Sequence, residues 1–235
     1  MINTLAQHRQ NEDREGFFAV LNEFLPKLKK YVANRLRTAV RKGWVPRGMY
    51  DPMDIVDEVY LEVYEQFDDS VTPEKLRVLI FRLADQKLEA IIEHERAHMK
   101  DLSIEALAAK ELKELEEHIT ADAEGEVVFV EDLDDISYHQ DDYKPKVYLL
   151  DEGFEEELVE VLDLPREILG DREKRQILAQ TYQNLPTLSR IILDLRTRGG
   201  LVIKEIAEVR GMAVDDVEKV MAAIKDRFHR ALGLK

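Results

Sequence analysis

The last fifty residues, Leu185 to Lys235, constrain the fold most. Leu188, Ile191, Ile192 and Leu195 recur at helical spacing after Pro186, and Gly199-Gly200 then interrupts the pattern. A short helix is predicted over Ile203–Val209, where the small Ala207 permits close crossing by a second helix. Gly211 supplies a tight turn. Val214, Val217, Val220/Met221, Ile224, Phe228 and Leu232 then form one apolar stripe on a longer helix. Helix, small residue, glycine turn and longer helix is the layout in which a second helix enters the major groove of DNA. Three-helix bundles without a DNA partner share the pattern, so it points to nucleic acid without requiring it.

A net charge of −15 on 235 residues argues against such a partner until its distribution is read. Met1–Lys110 carries 17 basic and 19 acidic residues, Glu111–Pro165 carries 3 and 20, and Arg166–Lys235 carries 14 and 10. One middle segment therefore holds more than the whole excess, and the ends are near neutral or slightly basic. The expected organisation is a helical domain over 1–102, an acidic connector over 103–165 and a helix-turn-helix domain over 166–235. The fold class is all-α, two small helical domains joined by a long acidic connector. Cysteine is absent, the first residues lack the apolar core of a signal peptide, and no run approaches the roughly 20 apolar residues of a bilayer span. A cytoplasmic protein without membrane contact is expected.

In the first part, Phe17–Leu36 reads as an amphipathic helix interrupted at Pro26, and a Gly/Pro-punctuated loop covers Gly43–Pro52. Asp54–Phe67 is more informative. Ile55, Val56, Val59, Tyr60, Val63 and Phe67 must face a core, whereas Asp54, Glu58, Glu62 and Glu65 line the opposite side with Asp57 at its margin. Such a stripe is often only a solvated face. Leu61, set among the acids, gives it the character of a docking surface, because apolar anchors ringed by charge mark interfaces. A further helix, Leu76–Lys100, turns Leu76, Leu79, Ile80, Leu83, Ile91 and Ile92 inward, and Arg82, Gln86, Glu89, Glu93 and Arg96 outward.

His94-Glu95-Arg96-Ala97-His98 fits H-E-x-x-H, in which two histidines four apart can hold zinc beside a glutamate base. Arg96 stands where zinc peptidases keep uncharged residues, and Glu116 and His118 are no more than available as a third ligand. Surface histidines on a polar helix end are the favoured reading. No metal, no cofactor and no enzymatic activity are expected.

In the connector, Ser103 is placed as the cap of a helix to Ile119. Gly125–Val130 and Lys146–Leu150 are β-prone, and Gly153–Leu162 suits a short acidic helix. The segment is either a solvated spacer or an acidic mimic of nucleic acid.

Two stretches resemble the extracytoplasmic-function sigma factors of bacterial RNA polymerase. Asp54-Ile-Val-Asp-Glu-Val-Tyr-Leu-Glu-Val-Tyr64 is similar to the family's D-L-V-Q-E-T-F-L-x-x-W, and Leu79-Ile-Phe-Arg-Leu-Ala-Asp-Gln86 to its W-L-Y-R-I-A-R-N. Leu185-Pro…Arg190, Glu205-Ile-Ala-Glu208 and Gly211-Met-Ala-Val-Asp-Asp-Val217 resemble its L-P…R…E-I-A-E…G-I-S-V-G-T-V. The resemblance covers roughly 120–150 residues and implies a sigma factor that binds core polymerase and directs promoter-specific initiation. It implies contact with the β′ clamp helices through Asp54, Asp57, Glu58, Leu61 and Glu62, and with the β flap. Arg82, Gln86, Lys87 and Arg96 would meet the −10 strand. Lys204, Asp215, Asp216, Lys219, Lys225 and Arg227 would meet the −35 duplex, where an aspartate can accept from cytosine N4. Promoter DNA and an anti-sigma factor complete the implied partners.

The departures weaken the DNA faces. Glu93, His94 and Glu95 stand where the family carries arginines, and Asp85 replaces a common arginine. Glu218, Val220 and Ala222-Ala223 replace basic residues of the reader helix. Since Lys and Arg on phosphates supply much of DNA affinity, a second reading is open: a sigma-like decoy that binds an anti-sigma factor or polymerase without reading promoters.

Overall fold

A computed structural model describes residues 1–68, 70–115, 119–121, 127–129 and 150–234. The described elements are helical apart from one pair of three-residue strands. In order they are α1 (Ile2–Gln10), α2 (Arg14–Leu21), α3 (Leu25–Arg41), α4 (Pro52–Gln66), α5 (Pro73–Leu115), β1 (Ile119–Ala121), β2 (Val127–Phe129), α6 (Glu152–Val161), a 3-10 turn (Arg166–Gly170), α7 (Arg172–Gln183), α8 (Thr187–Arg196), α9 (Ile203–Arg210) and α10 (Val214–Ala231). None of the described helices is long and apolar enough to cross a membrane.

Residues 1–95 and 148–235 form one compact unit and residues 96–147 another. These limits do not coincide with the boundaries at 102/103 and 165/166 that the charge distribution suggested. In the first unit, Tyr31, Val32, Leu36, Val56, Ile80 and Phe81 share a core with Ile191, Ile192, Leu195, Leu201 and Ile206. The two ends of the chain are thus halves of one hydrophobic interior. A second cluster joins Phe154, Leu158 and Leu162 of the α6 segment to Leu178, Tyr182, Leu193, Ile224 and Phe228. In the other unit, β1 and β2 pair antiparallel with Thr120 opposite Val128. β2 lies inside the β-prone run Gly125–Val130, whereas Ile119, expected at the end of a helix, is in β1 and the helix is described to Leu115. The run Lys146–Leu150 falls outside the described residues except for Leu150.

Local chemistry explains several helix starts. Asp51 accepts from the Met53 amide at 2.7 Å and Pro52 opens α4. Asp151 accepts from the Phe154 amide at 3.0 Å, and Asp171 from those of Glu173 and Lys174. Pro26 sits in the first turn of α3, where its missing N–H costs nothing, so it helps start that helix instead of interrupting a longer one. Ser103 lies within α5, not at a cap, because no Gly or Pro interrupts the chain between Pro73 and Leu115.

Candidate interaction faces

α4 is two-sided. Ile55, Val56, Val59, Tyr60, Val63 and Tyr64 are buried, and Tyr60 donates to the Leu21 carbonyl at 2.9 Å. Burial, with Asp57 nearby, drives the Tyr60 phenol far above its usual range. Asp54, Asp57 and Glu58 are exposed on the far side, and Leu61 is 40% exposed among them. Glu62 is half-buried and accepts from the Gln66 amide at 3.1 Å. Beside this face a groove of about 370 Å³ runs between α2 and α4, lined by Phe18, Leu25, Met53, Asp57, Tyr60 and Leu61. Apolar walls with acids at the rim suit a helix that carries both apolar and basic side chains.

Arg82, Gln86 and Lys87 sit close together on α5, but not as an open basic surface. Arg82 is half-buried and donates to the Glu208 carbonyl of α9 at 3.1 Å. Lys87 is ion-paired with Glu58, so it is held by the acidic face of α4. Gln86 is exposed. Arg96 is exposed and belongs to the second unit.

Between α5 and α9 lies a polar clasp that the periodicity did not reveal. Asp85 is only 2% exposed. It accepts from the Tyr31 hydroxyl at 2.7 Å, pairs with Arg210 of α9, and lies 3.6 Å from the Arg35 guanidinium. Arg210 also donates to Glu89 at 2.6 Å, and Arg77 pairs with Glu205. Glu205 accepts from the Val202 amide at 2.9 Å as well, closing the first turn of α9. Burial holds the Tyr31 phenol well above its ordinary value, so it stays a donor to Asp85. A second buried chain runs from Asn34 to the Tyr182 hydroxyl at 2.9 Å and on to Asp194 at 2.7 Å. Burial pushes the Asp194 carboxyl up to about 6, against the opposing pull of the Tyr182 hydrogen bond and of Arg35, Arg190 and Arg198. The sequence holds a signal for the buried positions though not for their partners: Asp85 falls four residues after Phe81 and three before Leu88, and Asp194 three after Ile191, ionisable groups at the spacing of an apolar stripe.

The helix-turn-helix elements lie where the spacing put them. Gly211 takes φ +62°, a left-handed turn that a β-carbon would strain. Lys204 and Asp215 are exposed. Asp216 pairs with Lys219 at 3.3 Å within α10. Lys225 pairs with Asp163 at 3.0 Å, and Arg227 donates to the Asn184 carbonyl at 3.1 Å. Asp215 and Asp216 sit in the first turn of α10, where carboxylates also stabilise the helix end. Of these six residues, four (Asp216, Lys219, Lys225 and Arg227) therefore hold each other or other parts of the fold.

For H-E-x-x-H, Glu95 is buried and accepts from the Tyr50 hydroxyl at 2.7 Å. That hydrogen bond, with burial, raises the Tyr50 phenol to about 12. Glu95 is thereby committed to the fold. Among the described residues no group of three or more metal-binding side chains is assembled. Glu116 and His118 lie outside the described residues.

Compared with known proteins, the chain matches no family model, no curated protein and no solved structure.

Proposed function

We propose that this chain is a sigma-type subunit that docks on bacterial RNA polymerase through α4 and directs it to a class of promoters from the cytoplasm. The observation that carries the reading is the free face of α4. Asp54, Asp57 and Glu58 surround an exposed Leu61 beside an apolar groove, while the other side of the helix is fully committed to the core. Residues 1–102 would act as the polymerase-docking and −10 part, and 166–235 as the −35 reader. On this reading the β′ clamp helices occupy the α4 face, the β flap meets the helix-turn-helix, and an anti-sigma factor competes for the same surfaces.

The reading carries a mechanical requirement. Elements named for positions 25 base pairs apart are separated by roughly 85 Å along duplex DNA. α9 touches α5 through Arg210, Arg77 and Arg82, so the two halves cannot reach both elements at once. Polymerase must supply enough binding energy to part them, as any ligand shifts an equilibrium only by its differential affinity. The contact of Arg82 with Glu208, with the pairing of Lys87, Lys219 and Lys225 elsewhere, favours the second reading, a decoy that docks without reading promoters.

Purified chain mixed with sigma-free core polymerase and genomic DNA fragments should yield transcripts with defined starts sharing −35 and −10 elements. Polymerase binding without defined starts selects the decoy. Replacing Glu58 and Glu62 together by lysine should abolish co-purification with polymerase; association that survives the pair refutes the docking face.

A further inference from the structure

α3 carries Lys27, Lys29, Lys30, Arg35, Arg37 and Arg41 and no carboxylate, in a chain whose net charge is −15. Only Arg35 is buried, where Asp85 faces it. Lys27 lies over the backbone of Gly200 in the turn before α9. The others are exposed and fall on one side of the helix, opposite the buried Leu28, Tyr31, Val32, Leu36 and Ala39. From Lys29 to Arg41 this row is about 18 Å long at 1.5 Å per residue, a length over which duplex DNA carries about ten phosphates. Between its charges the row presents Ala33, small enough to let a backbone approach.

The surroundings do not neutralise it. A groove of about 340 Å³ separates Lys29, Lys30 and Arg37 from Asp151 and Arg198 on the other wall. Asp151 and Glu157 are taken up by Arg198, and Glu157 also meets Lys30 at 3.4 Å. Among the described residues, Lys29, Arg37 and Arg41 have no ion-pair partner. Arg41 moreover adds to the repulsion felt by Arg190, whose side chain burial already makes harder to charge. Like charges set along one exposed helix face, with no large exposed apolar side chain among them, suit a polyanion better than a protein groove or a bilayer surface.

We propose that the outward face of α3, formed by Lys29, Lys30, Arg37 and Arg41, is a docking surface for the phosphodiester backbone of nucleic acid. It is separate from the α5, α9 and α10 residues assigned to promoter contact above, and it grips without reading sequence.

The test is fluorescence anisotropy with the full chain, a labelled random-sequence duplex and the matching single strand, titrated from 50 to 200 mM salt. Wild-type protein should bind at micromolar concentration, with log affinity falling linearly against log salt at about 0.9 per phosphate for duplex and 0.7 for single strand. Changing Arg37 and Arg41 to glutamine should weaken binding about tenfold at 50 mM and lower the slope by about two. Arg166→Gln with Arg172→Gln, exposed cations elsewhere, should leave both unchanged. Circular dichroism melting checks that each variant is folded, and Lys29→Gln with Lys30→Gln stands in if the first pair unfolds. No binding by wild-type protein at 50 mM overturns the proposal, as does an unaltered slope in folded α3 variants. Capture by anionic lipid vesicles with no binding to either DNA overturns it too. Polymerase is absent from the assay, so the outcome does not depend on whether α4 docks on it.

Discussion

The clasp between α5 and α9 and the surface of α10 contain the same kinds of ion pair in opposite settings. Asp85 is 2% exposed between Tyr31, Arg35 and Arg210, whereas Asp216 and Lys219 meet in open solvent. In the interior a charge stripped of its partner keeps its desolvation cost, and at the surface water replaces the partner. Charge in the clasp therefore decides which helices can pack together, and the exposed pair of Asp216 and Lys219 stays within reach of a partner. Composition alone treats the two alike.

The sharpest way to break this contrast is Asp85→Ala, which leaves Arg35 buried beside an unpaired Tyr31 hydroxyl. Urea unfolding should show a loss of about 3–5 kcal/mol. A loss under about 1 kcal/mol would mean that the clasp contributes little to the fold.

Asp194 gives a smaller effect with a defined sign. Burial pushes its carboxyl up to about 6, from an ordinary value of 3.8. Between those limits the folded chain binds more protons than the unfolded one, so this group's contribution falls as pH rises from about 4 to about 6 and is level above. The span is about 3 kcal/mol. Asp194→Asn should remove it, so the stability difference between wild type and variant, followed by chemical unfolding across pH 4–7, should change by that order in the variant's favour. A flat difference would show that the buried carboxylate titrates as it does in the unfolded chain.

At the small end lies Lys219→Ala. Its pair with Asp216 is exposed, so unfolding free energy should stay within about 0.5 kcal/mol of wild type. A larger loss would erase the contrast between surface and interior.

The legibility of the chain follows the same division. α4, α8, α9 and α10 were readable because each sets one apolar stripe against a polar face, and Gly211 marks the turn. α6 was readable too, as a short acidic helix. α1 was not, since Leu5 is its one buried residue and no stripe exists to detect. α7 escaped because its sequence is strongly polar and its buried side includes Thr181 and Tyr182. The acidic α4 surface was legible as a face, with Leu61 exposed among its carboxylates. The fates of Arg82 and Lys87 were not, because they are fixed by Glu208 and Glu58, residues that only tertiary packing brings near. Charges that complete a core look like surface charges until their partners are known.

The core shared by the two ends also sets a timetable for synthesis. Phe81 and Ile80 emerge from the ribosome long before Leu201 and Ile206, which complete their cluster, and Asp85 waits 125 residues for Arg210. At about 5–20 residues per second this part of α5 waits roughly 6–25 s for its partners. For that interval the side chains that will meet Leu201 and Ile206 stay open to water, and the acidic middle segment emerges before the half that finishes the fold.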